Sequence, residues 1–234
     1  MGGDDFRRRI DLAWRLLKDE FDLLRTVSSP LSIPANRNFN EVALNSSSTY
    51  AQIYLSAVSL SYYNVMLNDY AIFQYSWENT ESWRLAYLPN PWISGAEQAE
   101  RTVADWEALE SMGGLDEEDV ANLIAELPYQ GSIPAIRFEY STDQYRELAH
   151  PAAHLHIGRH EENRWALARP LDPLTFTMSV IRLYYPSAWN RKSSFHGAAV
   201  AQCIDQRFIA ELNRNRLVHQ FSEDERRSLH LTSQ

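Results

Sequence analysis

Two short aromatic runs, Tyr70–Tyr75 and Ser82–Leu88, flank the polar segment Trp77-Glu78-Asn79-Thr80. Apolar strands joined by a polar turn predict a β-hairpin, and a hairpin commits the chain to an antiparallel sheet. Pro89-Asn90-Pro91 ends the second strand, because proline has no N–H to give to a ladder. Two further runs, Ala135–Tyr140 and Ala152–Ile157, read as strands.

The segments around them carry the three-to-four-residue period of helices. Ile10, Trp14, Leu17, Phe21 and Leu24 predict an amphipathic helix from about Asp4 to Val27, followed by a long loop over 28–48. Residues 49–68 read as a helix, with a strand as the alternative because tyrosine and β-branched residues are frequent there. Residues 94–127 predict two helices, the first capped by Ser94, broken at Gly113-Gly114, and the second capped by Asp116. A helix is expected from Pro173 to Tyr185, ended by Pro186, and a last one from His196 to about Leu217. The charged tail 221–234 is expected to be loose. Strands in hairpins flanked by helical blocks define an α+β fold: a mostly antiparallel sheet flanked by helices, in a single domain over 1–234.

Charge and cysteine content narrow the function. A formal net charge of −9 argues against broad nonspecific DNA binding, which needs many basic groups on phosphates. The arginine clusters at 7–9, 214/216 and 226/227 read as solvated helix surface. One cysteine, Cys203, allows no internal disulfide and reads as a small core residue. The first residues, MGGDDFRRRI, lack an apolar signal region, and no apolar run has the roughly 20 residues of a membrane helix. The expected location is the cytoplasm, with no membrane partner.

Chemistry concentrates in one segment. Four of seven histidines fall within His150-Pro-Ala-Ala-His154-Leu-His156-Ile-Gly-Arg-His160. Side chains alternate along a strand, so His154 and His156 share one face. In the preceding strand Arg137 and Glu139 share a face opposite Ile136, Phe138 and Tyr140. If the two strands pair with their apolar residues inward, Arg137, Glu139, His154 and His156 meet on one surface, with His150 beside them.

That group set suits general acid–base catalysis by His150, His154 and His156, with Arg137 on a phosphate and Glu139 orienting a histidine. It is what a metal-independent ribonuclease needs, because RNA supplies its own 2′-hydroxyl nucleophile. The same residues offer a metal reading, His-x-His plus a carboxylate. Arg137 opposes it by repulsion and no cysteine lies near in sequence, so no bound metal or other cofactor is expected. A third reading is structural, with strand histidines bonded to whatever covers them. No phosphate-binding glycine loop, dinucleotide fingerprint or nucleophile elbow is present.

The order Asp69-Tyr70, Tyr87-Leu-Pro-Asn-Pro91, Ile136–Tyr140, His150-Pro-x-x-His-Leu-His-x-Gly158, Arg169-Pro-Leu-x-Pro173 and Tyr184-Tyr-Pro-x-x-Trp189 resembles a bacterial domain-of-unknown-function family. The resemblance spans nearly the whole chain and implies no assigned activity. More loosely, an Arg-Phe-Glu-Tyr strand before a histidine-rich strand is similar to the core of small bacterial toxin-type ribonucleases. Glu139 stands where an aspartate is commoner there, and this chain carries more helix. That similarity implies a toxin or phage-defence role with RNA as partner. The alternative is a non-catalytic subunit whose helices at 4–27 and 196–217 dock a protein encoded nearby.

Overall fold

The computed structural model describes residues 1–131, 133–158, 163–193 and 203–229. Among them seven strands form one antiparallel sheet in chain order: β1 Leu24–Val27, β2 Val65–Leu67, β3 Ile72–Asn79, β4 Ser82–Leu88, β5 Ile136–Ser141, β6 Ala153–Ile157 and β7 Trp165–Ala166. The hairpin predicted from its aromatic runs is β3–β4, paired Phe73↔Tyr87 through Trp77↔Trp83. The chain is thus an α+β fold, as the pattern of runs implied. None of the described helices is long and apolar enough to cross a membrane.

Alternation within the strands separates the faces. Phe73 and Tyr75 of β3, Leu85 and Tyr87 of β4, and Ile136 and Phe138 of β5 point to the main core. Helices α1, Gly3–Arg15, and α6, Pro173–Tyr184, cover that face through Phe6, Ile10, Ala13, Phe176 and Val180. Asp172 caps α6 by accepting from the Thr175 amide at 3.0 Å, and Pro173 fits the first turn, where no N–H is needed. The opposite face is covered at its β2–β3–β4 end by α2, Arg37–Ala43, and α3, Tyr50–Ser59. Phe39, Ile53, Tyr54, Ala57, Met66, Ile72 and Leu88 form a second, smaller core there.

Several expectations need correction. The first helix stops at Arg15; Leu16–Glu20 is a π-helical turn, Asp22 takes φ +55°, and Leu24–Val27 enters the sheet as β1. Phe21 and the π-turn leucines Leu16 and Leu17 are buried either way, so the three-to-four spacing did not distinguish a continuous helix from a helix turning into a strand. The loop 28–48 contains α2, whose Asn36 cap accepts from the Phe39 amide. Residues 49–68 divide into α3 and β2, because Val65-Met-Leu67 is too short for its period to be read. Helix α4, Glu97–Ser111, is capped at Ala96, and the Ser94 hydroxyl instead accepts from the Asn90 amide. Gly113 at φ +77° separates it from α5, Glu117–Ala125, whose Asp116 cap is as expected. Pro186 opens a further short helix, α7 Pro186–Asn190, rather than ending helical structure. Of the helix expected over His196–Leu217, residues 204–214 are α8, Ile204–Arg214, and 196–202 lie outside the described residues. The tail carries α9, Glu223–Leu229, whose buried Glu225 accepts from the Leu148 amide.

Arg9 also departs from its expected place on a solvated surface. It is buried between α6 and α8, paired with Asp172 and Glu211 at 2.8 Å each.

Buried tyrosines link the elements. The Tyr75 hydroxyl bonds Thr177, and the Tyr87 and Tyr185 hydroxyls bond each other at 2.9 Å, with Tyr185 donating to Asp69. Burial raises the pKa of Tyr50, Tyr54, Tyr75, Tyr87 and Tyr185 above the free value of 10.0. These groups stay protonated in the fold while an unfolded chain ionises them, so their contribution is complete below pH 10 and is lost above it. Far-UV circular dichroism and phenolate absorbance followed from about pH 8 to 12 should show a cooperative phenolate step from these five of the twelve tyrosines, coincident with loss of the helical signal, above the free tyrosine value. Appearance of the full phenolate signal while the helical signal persists would contradict it.

Candidate functional site

The two pairings around β5 set the site. Arg137 lies opposite Ala86 on β4 and His156 on β6; Glu139 lies opposite Arg84 and His154. With Gln74 and Ser76 of β3 the face carries two transverse rows, Gln74–Ala86–Arg137–His156 and Ser76–Arg84–Glu139–His154. The four residues expected to share a surface do share it. His150 precedes β6 and stacks edge-on against His154, ring centroids 4.9 Å apart. His160 lies outside the described residues.

The rows form the floor of a cleft of about 370 Å³ between the sheet and α2, lined among others by Arg84, Arg137, Glu139, His150, His156 and Arg164. A second lobe of about 630 Å³ continues past Arg137 to Tyr50, Leu88 and Gly158. Ala86, Ala43 and Ala35 on the floor and roof leave the space that larger residues would fill. Among the described residues the lining is cationic: three guanidinium groups face one carboxylate, in a chain whose net charge is −9.

The histidines are unequal. His154 is 0 % exposed and does not line the cleft, whereas His156, 3 % exposed, does. His154 Nδ1 lies 2.8 Å from the Pro151 carbonyl oxygen. A carbonyl only accepts, so Nδ1 carries the hydrogen and Nε2 of the neutral ring keeps its lone pair. That Nε2 faces His156 Nε2 at 3.0 Å. Between two neutral rings this contact is a hydrogen bond donated by His156, which makes Nδ1 its lone-pair nitrogen.

Burial lowers the His154 pKa to about 4, against the opposing pull of the Pro151 carbonyl and Glu139. Burial likewise lowers His150, aided by the charge of Arg164. For Glu139 burial pushes upward, but Arg137 and then Arg84 outweigh it and hold the carboxyl below its ordinary value. Arg137 Nε reaches Glu139 Oε1 at 2.9 Å, and Glu139 Oε2 lies 4.0 Å from His154 Nε2. Near neutral pH the site therefore holds an uncharged His154 against an ionised Glu139. Among the described residues, Glu139, His154 and His156 form a group with ligand atoms within 4.8 Å of one another.

Arg84 and Arg164 were not singled out from the sequence. Arg84 was within reach, because alternation in β4 places it opposite the inward Trp83 and Leu85. Arg164 lies outside any strand or helix and carries no periodic signal.

The description "Uncharacterized conserved protein (DUF2290)" belongs to a family whose match extends over residues 17–233. No curated protein and no solved structure matches the chain.

Proposed function

The chain belongs to the DUF2290 family of uncharacterized conserved proteins, and from its polar cleft we propose a phosphodiesterase acting on RNA, of toxin or phage-defence type. The observation that carries this reading is the meeting of three arginines with two cleft-lining imidazoles in an acidic chain. Guanidinium groups match phosphate oxygens in geometry and charge, so Arg84, Arg137 and Arg164 are the anion site. His150 and His156 stand beside it as proton carriers. One imidazole takes the proton of the 2′-hydroxyl as its oxygen attacks phosphorus. The P–O5′ bond breaks and the other imidazole, which must enter the step as the imidazolium, gives its proton to the leaving 5′-oxygen. The products are a 2′,3′-cyclic phosphate and a 5′-hydroxyl. Enclosed behind the wall, His154 fixes the His156 ring, and Glu139 fixes Arg137.

A single-stranded RNA oligonucleotide and its all-2′-deoxy counterpart decide the matter by mass spectrometry of the products. Cleavage of the first to cyclic-phosphate ends, with the second left intact, supports the reading. Absence of cleavage of RNA, or equal cleavage of both, overturns it.

The alternative of a docking subunit has one observation in its favour. An apolar groove of about 370 Å³ lies between α6 and α8, lined by Leu155, Leu171, Leu183, Phe208 and Leu212. The apolar residues Phe6, Ile10 and Ala13 of α1 are packed in the core, so a partner docking on this helix would meet its charged face.

A further inference from the structure

We propose that Glu139, His154 and His156 hold one divalent transition-metal ion at the inner wall of the cleft. Two imidazole nitrogens on a tetrahedral zinc, each at about 2.0–2.1 Å, lie about 3.3 Å apart. The facing nitrogens of His154 and His156 are 3.0 Å apart, and the Glu139 oxygen is 4.0 Å from the first of them. Ligation by His156 Nε2 requires that ring to take its other tautomer, with the hydrogen moved to Nδ1. All three donor atoms lie within 4.8 Å of one another, so side-chain movement must close them to the roughly 3.3 Å spacing of donors on one tetrahedral ion.

The surroundings of His154 are those of a metal ligand. Its Nδ1–H is held by the Pro151 carbonyl, which fixes the ring and leaves Nε2 as the donor. Ligating histidines are oriented in this way by a carbonyl or carboxylate on the far nitrogen. Pro151 is itself buried, as are Ala152 and Ala153 after it, so the carbonyl that orients the ring is held in place.

Arg137 was the objection to a cation here, and its position answers it. The guanidinium sits on Oε1 of Glu139, while Oε2 is the oxygen directed at His154. One carboxylate thus separates the two positive charges. His156 and Glu139 line the cleft and His154 does not, so the open coordination position faces the space where the arginines would hold a phosphate. Two imidazoles and one carboxylate favour zinc, manganese, iron or cobalt over magnesium or calcium, which prefer all-oxygen sites.

The assignment stands whether or not RNA is the substrate, since it needs only these three side chains. If RNA is the substrate, the arginines and His150 keep their roles, and His156 becomes a ligand instead of a proton carrier. A metal-bound water would then stand in for His156 in the proton transfer.

The full chain, stripped by a chelator, is titrated with Zn²⁺ by calorimetry and with Co²⁺ by visible absorption. One equivalent should bind, and the Co²⁺ bands should have the intensity of a four- or five-coordinate ion. Loss of a ligand in His156→Gln or Glu139→Gln should weaken binding by more than about 100-fold, exceeding the effect typical of an outer-sphere partner. Circular dichroism of each variant confirms that it is folded, and His150→Ala should still bind one equivalent. Failure of the wild-type chain to bind either ion stoichiometrically overturns the proposal, as does undiminished binding by both ligand variants. The metal site and the nuclease fail separately. One equivalent of metal in a chain that cleaves no RNA supports the site and overturns the nuclease; RNA cleavage by a chain that binds neither ion does the reverse.

Discussion

Replacing His150 by alanine is expected to slow RNA cleavage by about 10²–10⁴-fold, the range for loss of one positioned acid or base. His156→Gln should lose at least as much. Among the described residues these two rings are the imidazoles that reach the cleft, and the enclosed His154 covers neither loss. Arg137→Ala should fall chiefly in kcat/KM, because it removes phosphate binding and also releases Glu139 from its 2.9 Å pair. The two histidine variants should differ in kind. His150→Ala leaves Glu139, His154 and His156 in place, whereas His156→Gln removes the ring that His154 Nε2 faces. Single-turnover rates on one RNA oligonucleotide, with thermal melts of each variant, are the measurement. A His150→Ala protein that melts like wild type and cleaves at the same rate would remove His150 from the chemistry.

His154→Ala is a less informative substitution than the sequence suggests. The ring is fully enclosed and bonded at both nitrogens, so alanine leaves a cavity and an unsatisfied Pro151 carbonyl in addition to any effect on activity. Loss of activity in that variant would not separate folding from catalysis.

The face-sharing of Arg137, Glu139, His154 and His156 was legible because it depends on two local facts: the two-residue period of each strand, and inward apolar partners such as Phe138 and Leu155. What could not be read was depth. Nothing in His-Leu-His distinguishes the ring that lies behind the wall from the ring that lines it; that difference comes from α2 and the 150–152 turn, far apart in sequence. The β1 segment failed for a related reason. Leu24 to Val27 becomes a strand because β2 offers it a partner, Val27 against Val65, and pairing between segments so far apart in the chain leaves no trace in local spacing.

Asp172→Ala should be the most destabilising single substitution outside the apolar core, at about 3–5 kcal/mol. Asp172 does two things at once. Its Oδ1 caps α6 through the Thr175 amide, and its Oδ2 pairs with Arg9 of α1 at 2.8 Å and accepts from Asn215 at 3.2 Å. Alanine removes a cap contributing about 1 kcal/mol and leaves the Arg9 guanidinium, 2 % exposed, with Glu211 as its remaining anionic partner. Asp172→Asn keeps an acceptor for the cap and removes only the charge, so it should cost less than alanine. Arg9→Met leaves the carboxylate buried without its cation and should cost a similar amount to Asp172→Ala, while Arg9→Met with Asp172→Asn should cost less than the two single changes added together. Urea titrations of these variants beside the wild-type chain give the comparison. Strict additivity, or a loss below about 1 kcal/mol for Asp172→Ala, would show that the pair does not hold α1, α6 and α8 together. The helical layer would then rest chiefly on apolar contacts such as those of Phe6, Ile10 and Phe176.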